Sequence, residues 1–325
     1  MTDQTVRIAG VGAYLPSRVL TNEELSTMVD TSDSWIRERT GIAQRHIAAE
    51  GETTADLAEA ACRRALEHAG KDASDIDLIV VATTTPDFTF PSTGTLLQGR
   101  LGIAQGAAFD VQAVCTGFVY ALAVADGFLA RGQARNALVV GAETMSRIVD
   151  WTDRATCVLF GDGAGAMVLS AEETPGERRE NGLLATYLRS DGRYKDLLHV
   201  DGGPSSTQTV GHLRMAGNQV FRHAVTNIAE SMTTIAGQAE VEIAEIDWFV
   251  PHQANQRILE GVAKKLKIPT AKVVSTVSDH GNTSAASVPL AFERAVHDGR
   301  IGRGDLVLME ALGGGFTWGA ALARF

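Results

Sequence analysis

A chain of 325 residues with 45% apolar and 21% charged residues is long enough for a large core and too apolar to stay disordered. Its formal net charge of −10 excludes general nucleic-acid binding, which needs a basic surface. Three cysteines, Cys62, Cys115 and Cys157, have no metal-ligand spacing, give no disulfide framework and fit a reducing compartment. The first five residues lack the basic and apolar regions of a signal peptide, and no apolar run reaches ~18 residues. A soluble cytoplasmic protein with no membrane partner is expected.

In chain order, residues 6–16 open with a strand followed by Gly10-x-Gly12. A dinucleotide fingerprint is excluded because Leu15 stands where its third glycine belongs and Pro16 where its helix should start. Residues 22–29 read as a helix capped by Thr21 or Asn22, and residues 31–42 as a polar segment carrying Trp35, Arg37 and Arg39. Residues 53–69 repeat Leu57, Ala61, Ala65 and Ala69 at helical spacing and stop at Gly70. Residues 76–82 form a continuous apolar strand of the buried, parallel kind. A strand over 107–111 runs into a turn at Cys115, after which an almost wholly apolar run to Ala130 reads as a buried helix. That places the thiol at a helix amino end, where unpaired N–H groups favour a thiolate.

The order then recurs. Ile76–Ala82 resembles Ile246–His252, the strand into Cys115 matches residues 272–277, and Ala137–Glu143 matches residues 305–310. Residues 157–169 likewise match 313–323. A repeat offset of about half the chain indicates two similar βαβ-rich halves rather than a solenoid. The polar, glycine-rich stretch 172–182 is the seam, dividing 1–173 from 174–325. The fold class is α/β, two duplicated halves packed about a pseudo-twofold axis. Gly161–Gly165 and Gly313–Gly315 read as tight turns, since neither has the Lys-Ser/Thr of a phosphate loop.

Cys115, His252 and the 279–282 turn all follow strand ends, where sites on parallel sheets gather. A thiolate attacking a carbonyl needs an imidazole nearby and donors for the oxyanion. His252 follows an apolar strand, and Asn282 offers a neutral amide donor. The other histidines lie in polar or helical contexts, with His280 ambiguous beside Asn282. A papain-like Cys/His/Asn triad is the competing arrangement, at odds with the duplicated α/β order.

Four motifs in order, Phe109-Asp-Val-Gln-Ala-Val-Cys-Thr-Gly-Phe118, Val250-Pro-His-Gln-Ala-Asn-Gln-Arg257, His280-Gly-Asn-Thr-Ser-Ala-Ala-Ser287 and Gly313-Gly-Gly-Phe-Thr-Trp-Gly319, resemble 3-oxoacyl-[acyl-carrier-protein] synthase III, the initiating condensing enzyme of type II fatty-acid synthesis. The resemblance runs essentially end to end and implies the thiolase fold (α-β-α-β-α layers) and a homodimer. It implies that Cys115 takes an acyl group from acyl-CoA, while His252 and Asn282 bind the malonyl thioester of malonyl-ACP (acyl carrier protein) and stabilise its enolate as carbon dioxide leaves. The backbone N–H groups of Cys115 and Gly314 would form the oxyanion hole. Trp35 and Arg154 would hold the CoA adenine, Arg39 the phosphates and Asn255 the pantetheine arm. Phe90 would reach the partner's acyl pocket, and Leu312 would shape the acyl wall. No cofactor or metal is implied, acyl-CoA and malonyl-ACP being substrates. The alternatives are a related Cys-His-Asn acyltransferase of a polyketide pathway, a cysteine hydrolase, and a catalytically silent subunit.

Beyond His252, the helix carries Arg257, Lys264, Lys265 and Lys267 opposite an apolar face of Ile258, Leu259, Val262 and Leu266. In an acidic chain this basic patch suits docking of an acidic carrier protein. Gln253, Ala254, Asn255 and Gln256 at its start, and Arg222 nearby, complete the expected surface.

Overall fold

The structure, a computed structural model, describes residues 4–173 and 181–325. Its strands are β1 (Gln4–Tyr14), β2 (Arg18–Thr21), β3 (Gln44–Ile47), β4 (Leu78–Ala82), β5 (Ala107–Val111), β6 (Asn136–Thr144), β7 (Asp162–Glu173), β8 (Gly182–Ser190), β9 (Leu198–Val200), β10 (Leu213–Met215), β11 (Trp248–Pro251), β12 (Leu306–Gly313) and β13 (Thr317–Arg324). Its helices are α1 (Asn22–Leu25), α2 (Asp33–Thr40), α3 (Thr54–Ala69), α4 (Thr93–Leu101), α5 (Gly117–Ala130), α6 (Arg154–Cys157), α7 (Gly217–Gln238), α8 (Gln256–Leu266), α9 (Val277–His280) and α10 (Ser287–His297). The expected boundary at residue 174 lies outside the described residues.

Local chemistry sets several of these limits. Thr21 caps α1, yet the helix stops four residues earlier than the sequence suggests. The hydroxyls of Ser26 and Thr27 turn back onto the carbonyls of Glu23 and Glu24, the competition that ends helices at such residues. The polar segment after it contains a helix that composition hides: Ser32 caps α2 by accepting from the Trp35 N–H, and Gly41 closes it in the left-handed region. Gly70 ends α3, as expected, and a capping box of Thr53 and Asp56 starts it.

Two sheets organise the molecule. The first runs β1-β7-β6-β4-β5 and the second β8-β13-β12-β11. In each, the two innermost neighbours of the repeat are parallel, β4 with β6 and β11 with β12. In each, the following strand is antiparallel to both its neighbours. The second sheet lacks the counterpart of β5. Residues 272–277, expected as that strand, keep only a parallel bridge between Phe249 and Val273. A 3-10 turn through Lys272 and the start of α9 at Val277 leave no room for more.

Helices α5 and α10 lie between the sheets, α3 covers the outer face of the first, and α7 with α8 covers the second. The result is five layers, α-β-α-β-α. Being apolar on all sides, α5 can only be stable in such a middle layer. Its Phe118, Val119, Leu122 and Leu129 pack with Val288 and Phe292 of α10 and with both sheets. The Gly10-x-Gly12 pair proves to be a packing device: a Cβ on Gly12 would lie 2.3 Å from the Ala61 carbonyl oxygen and one on Gly10 2.5 Å from that of Ala65. The small alanines of α3 and the bare backbone of β1 thus meet in direct contact. The other glycine-rich stretch, Gly161–Gly165, is mostly the start of β7 rather than a turn.

Equivalent kinks precede α5 and α10. Val114 has φ 51° and Ser284 φ 49°, each inside a 3-10 turn that leads into its helix. Left-handed backbone is costly for a β-branched residue such as valine, and these two turns face each other at the centre of the molecule. One carries Cys115; the other follows Asn282.

Candidate active site

A cavity of about 230 Å³ is lined by Cys115, His252, Asn282 and Leu312 together with Arg39, Ala254, Asn255 and Arg257. That is small beside the ~300–1,000 Å³ of drug-sized sites, so it suits a slender chain. Met145, Leu159, Phe160, Leu198 and Ile228 make most of its wall apolar.

Cys115 sits in the 3-10 turn just before α5 and is 4% exposed. Burial pushes its thiol up to about 12, the Glu143 carboxylate pushes the same way, and the Ser284 hydroxyl opposes both. The helix end was expected to favour a thiolate, but desolvation outweighs it. The Gly313–Thr317 loop is fastened to this turn. Thr317 Oγ1 donates to the Ala113 carbonyl at 2.8 Å, and Thr116 Oγ1 donates to the Thr317 carbonyl at 2.9 Å. A Cβ on Gly313 would stand 2.7 Å from the Cys115 nitrogen, so only glycine lets this loop lie against the Cys115 backbone.

His252 follows the last residue of β11 and is held to the sheet by its N–H to the Glu310 carbonyl. Burial alone pulls its imidazole down to about 3, which makes it neutral. Its Nδ1 lies 2.6 Å from Ser287 Oγ, and that oxygen also accepts from the Gln253 N–H at 3.3 Å. With the serine oxygen already accepting, its proton is free for Nδ1. The assigned tautomer carries hydrogen on Nε2. Asn282 is oriented likewise: its Oδ1 accepts from the Ser284 N–H at 2.9 Å, leaving its NH₂ as the free donor. Two neutral donors therefore meet at one cavity with the thiol.

Gln253, expected on a docking surface, is instead fully buried. Its NH₂ donates to the carbonyls of Pro251 and Val274, and its oxygen accepts from the N–H groups of Thr276 and Val277. Every hydrogen-bonding position is used, so it offers nothing to a partner. It is a strut between the His252 strand and the Asn282 turn. Gln256 is half-buried and ties Ser275 to Glu260. Asn255 caps α8 by accepting from the Ile258 N–H, and its NH₂ is left over at the cavity.

Trp35 and Arg154 do not line the cavity; they stand beside Arg39, which does. The Arg39 and Arg154 guanidinium carbons lie 4.8 and 5.0 Å from the indole centroid. Arg154 also donates to the Asp30 carbonyl at 2.8 Å. Arg222, Arg257, Lys264 and Lys265 are exposed, with Arg257 6.0 Å over the Phe221 ring. Phe90 is 83% exposed and lies outside the cavity.

Several residues of the site escaped the sequence. Ser287, Ser284 and Glu143 have no period or spacing that marks them, and Glu310 is a buried carboxyl, Oε2 unpartnered, raised to about 8 by desolvation. Among the described residues no cluster of three or more His, Cys, Asp or Glu could hold a metal, and no helix is long and apolar enough to cross a membrane.

Residues 109–192 match the family model "3-Oxoacyl-[acyl-carrier-protein (ACP)] synthase III", and residues 237–325 match the model of its C-terminal part. A β-ketoacyl-[acyl-carrier-protein] synthase III of Rhodospirillum centenum is 66% identical, and one of Caulobacter vibrioides 61%, each over 98% of both chains. The crystal structure of 3-oxoacyl-[acyl-carrier-protein] synthase III from Aquifex aeolicus superposes with a TM-score of 0.93 at 46% identity, covering 98% of this chain and all of that one.

Proposed function

The chain belongs to the 3-oxoacyl-[acyl-carrier-protein] synthase III family, and from that premise we propose how its residues divide the work. It has the thiolase fold and is an acyltransferase, an initiating condensing enzyme of fatty-acid synthesis. Its relatives are named for acyl carrier protein, and in this reading its substrates are an acyl-CoA and malonyl-ACP. In the proposed cycle the Cys115 sulfur attacks the acyl-CoA carbonyl while the Cys115 and Gly314 N–H groups hold the oxyanion. CoA leaves and an acyl-Cys115 thioester remains.

Malonyl-ACP then enters the emptied arm. The Nε2–H of His252 and the NH₂ of Asn282 donate to its thioester carbonyl, where negative charge builds as carbon dioxide departs. The resulting carbanion attacks acyl-Cys115, and 3-oxoacyl-ACP is released. Because both donors are neutral, no proton has to be moved to form the enolate, and no prosthetic group is called on. The observation that supports this most is the meeting of Cys115, neutral His252 and Asn282 at one cavity.

The outer contacts follow in the same reading. The adenine of CoA stacks at Trp35 and Arg154, its phosphates meet Arg39, and the pantetheine arm passes Asn255. Leu312 walls the acyl end. The exposed row Arg222, Arg257, Lys264 and Lys265 receives the acidic carrier protein. A homodimer forms along the unpaired edge of β5, and Phe90, exposed in the loop between β4 and α4, reaches the partner's acyl site. The halves divide at residue 174, and the enzyme works in the cytoplasm.

Intact-protein mass spectrometry tests the reading. Acetyl-CoA should leave an acetyl adduct on wild type and none on Cys115→Ala, and malonyl-ACP should clear it as 3-oxoacyl-ACP. Absence of any adduct with acetyl-, octanoyl- and branched acyl-CoAs would sink it.

A further inference from the structure

Asn282 can donate to a substrate only while its amide is turned the right way round. Its Oδ1 accepts from the Ser284 N–H at 2.9 Å, and that bond lasts only while Ser284 keeps its present backbone. Ser284 has φ 49°, a left-handed conformation that a serine leaves unless its surroundings hold it. The tether comes from the other half of the chain. Ser284 Oγ donates to Glu143 Oε1 at 3.0 Å, across a separation of 141 residues. Glu143, near the end of β6, is fully buried and is itself fixed from several sides. It accepts from the Thr84 N–H at 3.0 Å, from Thr84 Oγ1 at 2.9 Å, from Thr85 Oγ1 at 2.6 Å and from Thr83 Oγ1 at 3.3 Å. Thr85 Oγ1 accepts in turn from the Thr144 N–H at 2.9 Å, so its proton is left for Glu143. Two residues earlier, on the same face of β6, a Cβ on Gly141 would stand 2.4 Å from the Ala285 carbonyl oxygen. Strand β6 thus meets the kink twice, once by bare backbone and once by the carboxylate.

We propose that Glu143 is a positioning residue for decarboxylation: through Ser284 it fixes the side-chain amide of Asn282 with the NH₂ toward the malonyl thioester. The path runs from carboxylate to hydroxyl, through Ser284 to its own N–H, and from that N–H to the amide oxygen. Neither Glu143 nor Ser284 lines the cavity, so they act through Asn282 rather than on the substrate, and no proton has to move. Without the tether, Ser284 relaxes toward right-handed backbone and its N–H swings off Oδ1. The amide is then free to turn its oxygen toward the developing enolate, where an acceptor repels the charge that the NH₂ would stabilise.

The donors around Glu143 say which substitution keeps the tether. Oε2 accepts from a backbone N–H, that of Thr84, which cannot reverse its role. The partners of Oε1, Thr84 Oγ1 and Ser284 Oγ, are hydroxyls, which can. A glutamine at this position therefore places its oxygen where Oε2 stands and its NH₂ where Oε1 stands. The NH₂ donates to Ser284 Oγ, and the same two atoms stay joined with the polarity of their bond reversed. An alanine at either end breaks the link.

The proposal rests on Asn282 donating to the malonyl carbonyl, and the test separates the two. Carbon dioxide release from malonyl-ACP by acetyl-loaded enzyme is compared with acetyl-CoA loading of Cys115, read by intact mass. Ser284→Ala and Glu143→Ala should each lower kcat for release roughly 10- to 100-fold. KM for malonyl-ACP should hold, and loading should stay within about threefold of wild type. Glu143→Gln should restore release to within about threefold of wild type. In an Asn282→Ala background, adding Ser284→Ala should cost less than about twofold more, because the group it acts on is gone. Ser284→Ala leaves Glu143 with its threonines, so the outcome does not depend on Glu143→Ala folding. Equal losses in both half-reactions would reduce the link to a staple of the fold and overturn the proposal. So would wild-type release by Ser284→Ala, a Glu143→Gln as impaired as Glu143→Ala, or additive losses in the double variant. Wild-type release by Asn282→Ala alone would instead overturn the donor role of Asn282.

Discussion

Replacing Ser287 by alanine isolates the donor half of the site from the nucleophile half. The 2.6 Å contact between Ser287 Oγ and His252 Nδ1 is buried on both sides, so the deletion leaves an imidazole nitrogen with no partner. Such a loss costs ~1–3 kcal/mol, and it also frees the ring to carry its proton on Nδ1, the nitrogen away from the substrate. If that energy comes from the decarboxylation transition state, malonyl-thioester decarboxylation falls roughly 5- to 150-fold. Acylation of Cys115 does not use the imidazole proton and should change by less than about threefold. Carbon dioxide release from malonyl-ACP and the mass shift of the loaded enzyme measure the two separately. Equal losses in both, or a decarboxylation loss below about twofold, would refute the assignment of Ser287 as the group that fixes the tautomer.

Three further outcomes follow from the geometry. Glu310→Gln should gain stability on wild type as pH rises: the folded carboxyl holds its proton to about 8, the unfolded one only to ~4.3, so unfolding is favoured by about 1.4 kcal/mol per pH unit between them. His252, folded at about 3, destabilises in the opposite sense as pH falls below ~6.5, but equally in both proteins. Urea titrations at pH 5 and pH 8 should therefore differ between the two chains, and a flat difference would count against a neutral Glu310. Gly313→Ala puts a Cβ 2.7 Å from the Cys115 nitrogen; overpacking of ~1–3 kcal/mol should lower the urea midpoint, and acyl loading should fall with it. Arg257→Glu should raise KM for malonyl-ACP several-fold, and less so in high salt, while acetyl-CoA loading is little affected; a deficit shared by both half-reactions would speak against docking.

The parts of this molecule that could be read from its sequence are those written in local pattern. The apolar runs of β4 and α5, the glycine that ends α3 and the recurrence of β4, β6 and β7 as β11, β12 and β13 all lie in contiguous residues. Cys115, His252 and Asn282, to which the chemistry is assigned, were visible because each sits in a motif; Cys115 and His252 follow strands, while Asn282 follows the short α9 where a strand was expected. Contacts made across the chain left no such trace. Gln253 was grouped with the polar residues that follow it, Asn255, Gln256 and Arg257, whereas its own partners lie at Val274, Thr276 and Val277. The α2 helix was hidden by its polarity, since its stability comes from Ser32, Gly41 and burial of Ile36 rather than from an apolar stripe. A thiolate was expected from helix position alone, and desolvation, which no single sequence displays, reversed its direction.

The facing kinks at Val114 and Ser284 have a genetic corollary. Each is one copy's version of the same turn, and the two have specialised: the first copy presents the sulfur, the second the amide and imidazole. All three groups line one cavity within a single chain. Two alleles damaged in different copies, Cys115→Ala and His252→Ala, therefore cannot complement each other when co-expressed, because subunit exchange never reunites the intact copies around one cavity. Cutting the chain between the copies would make such rescue conceivable, and the number of active centres would then follow the pairing of fragments rather than the number of chains.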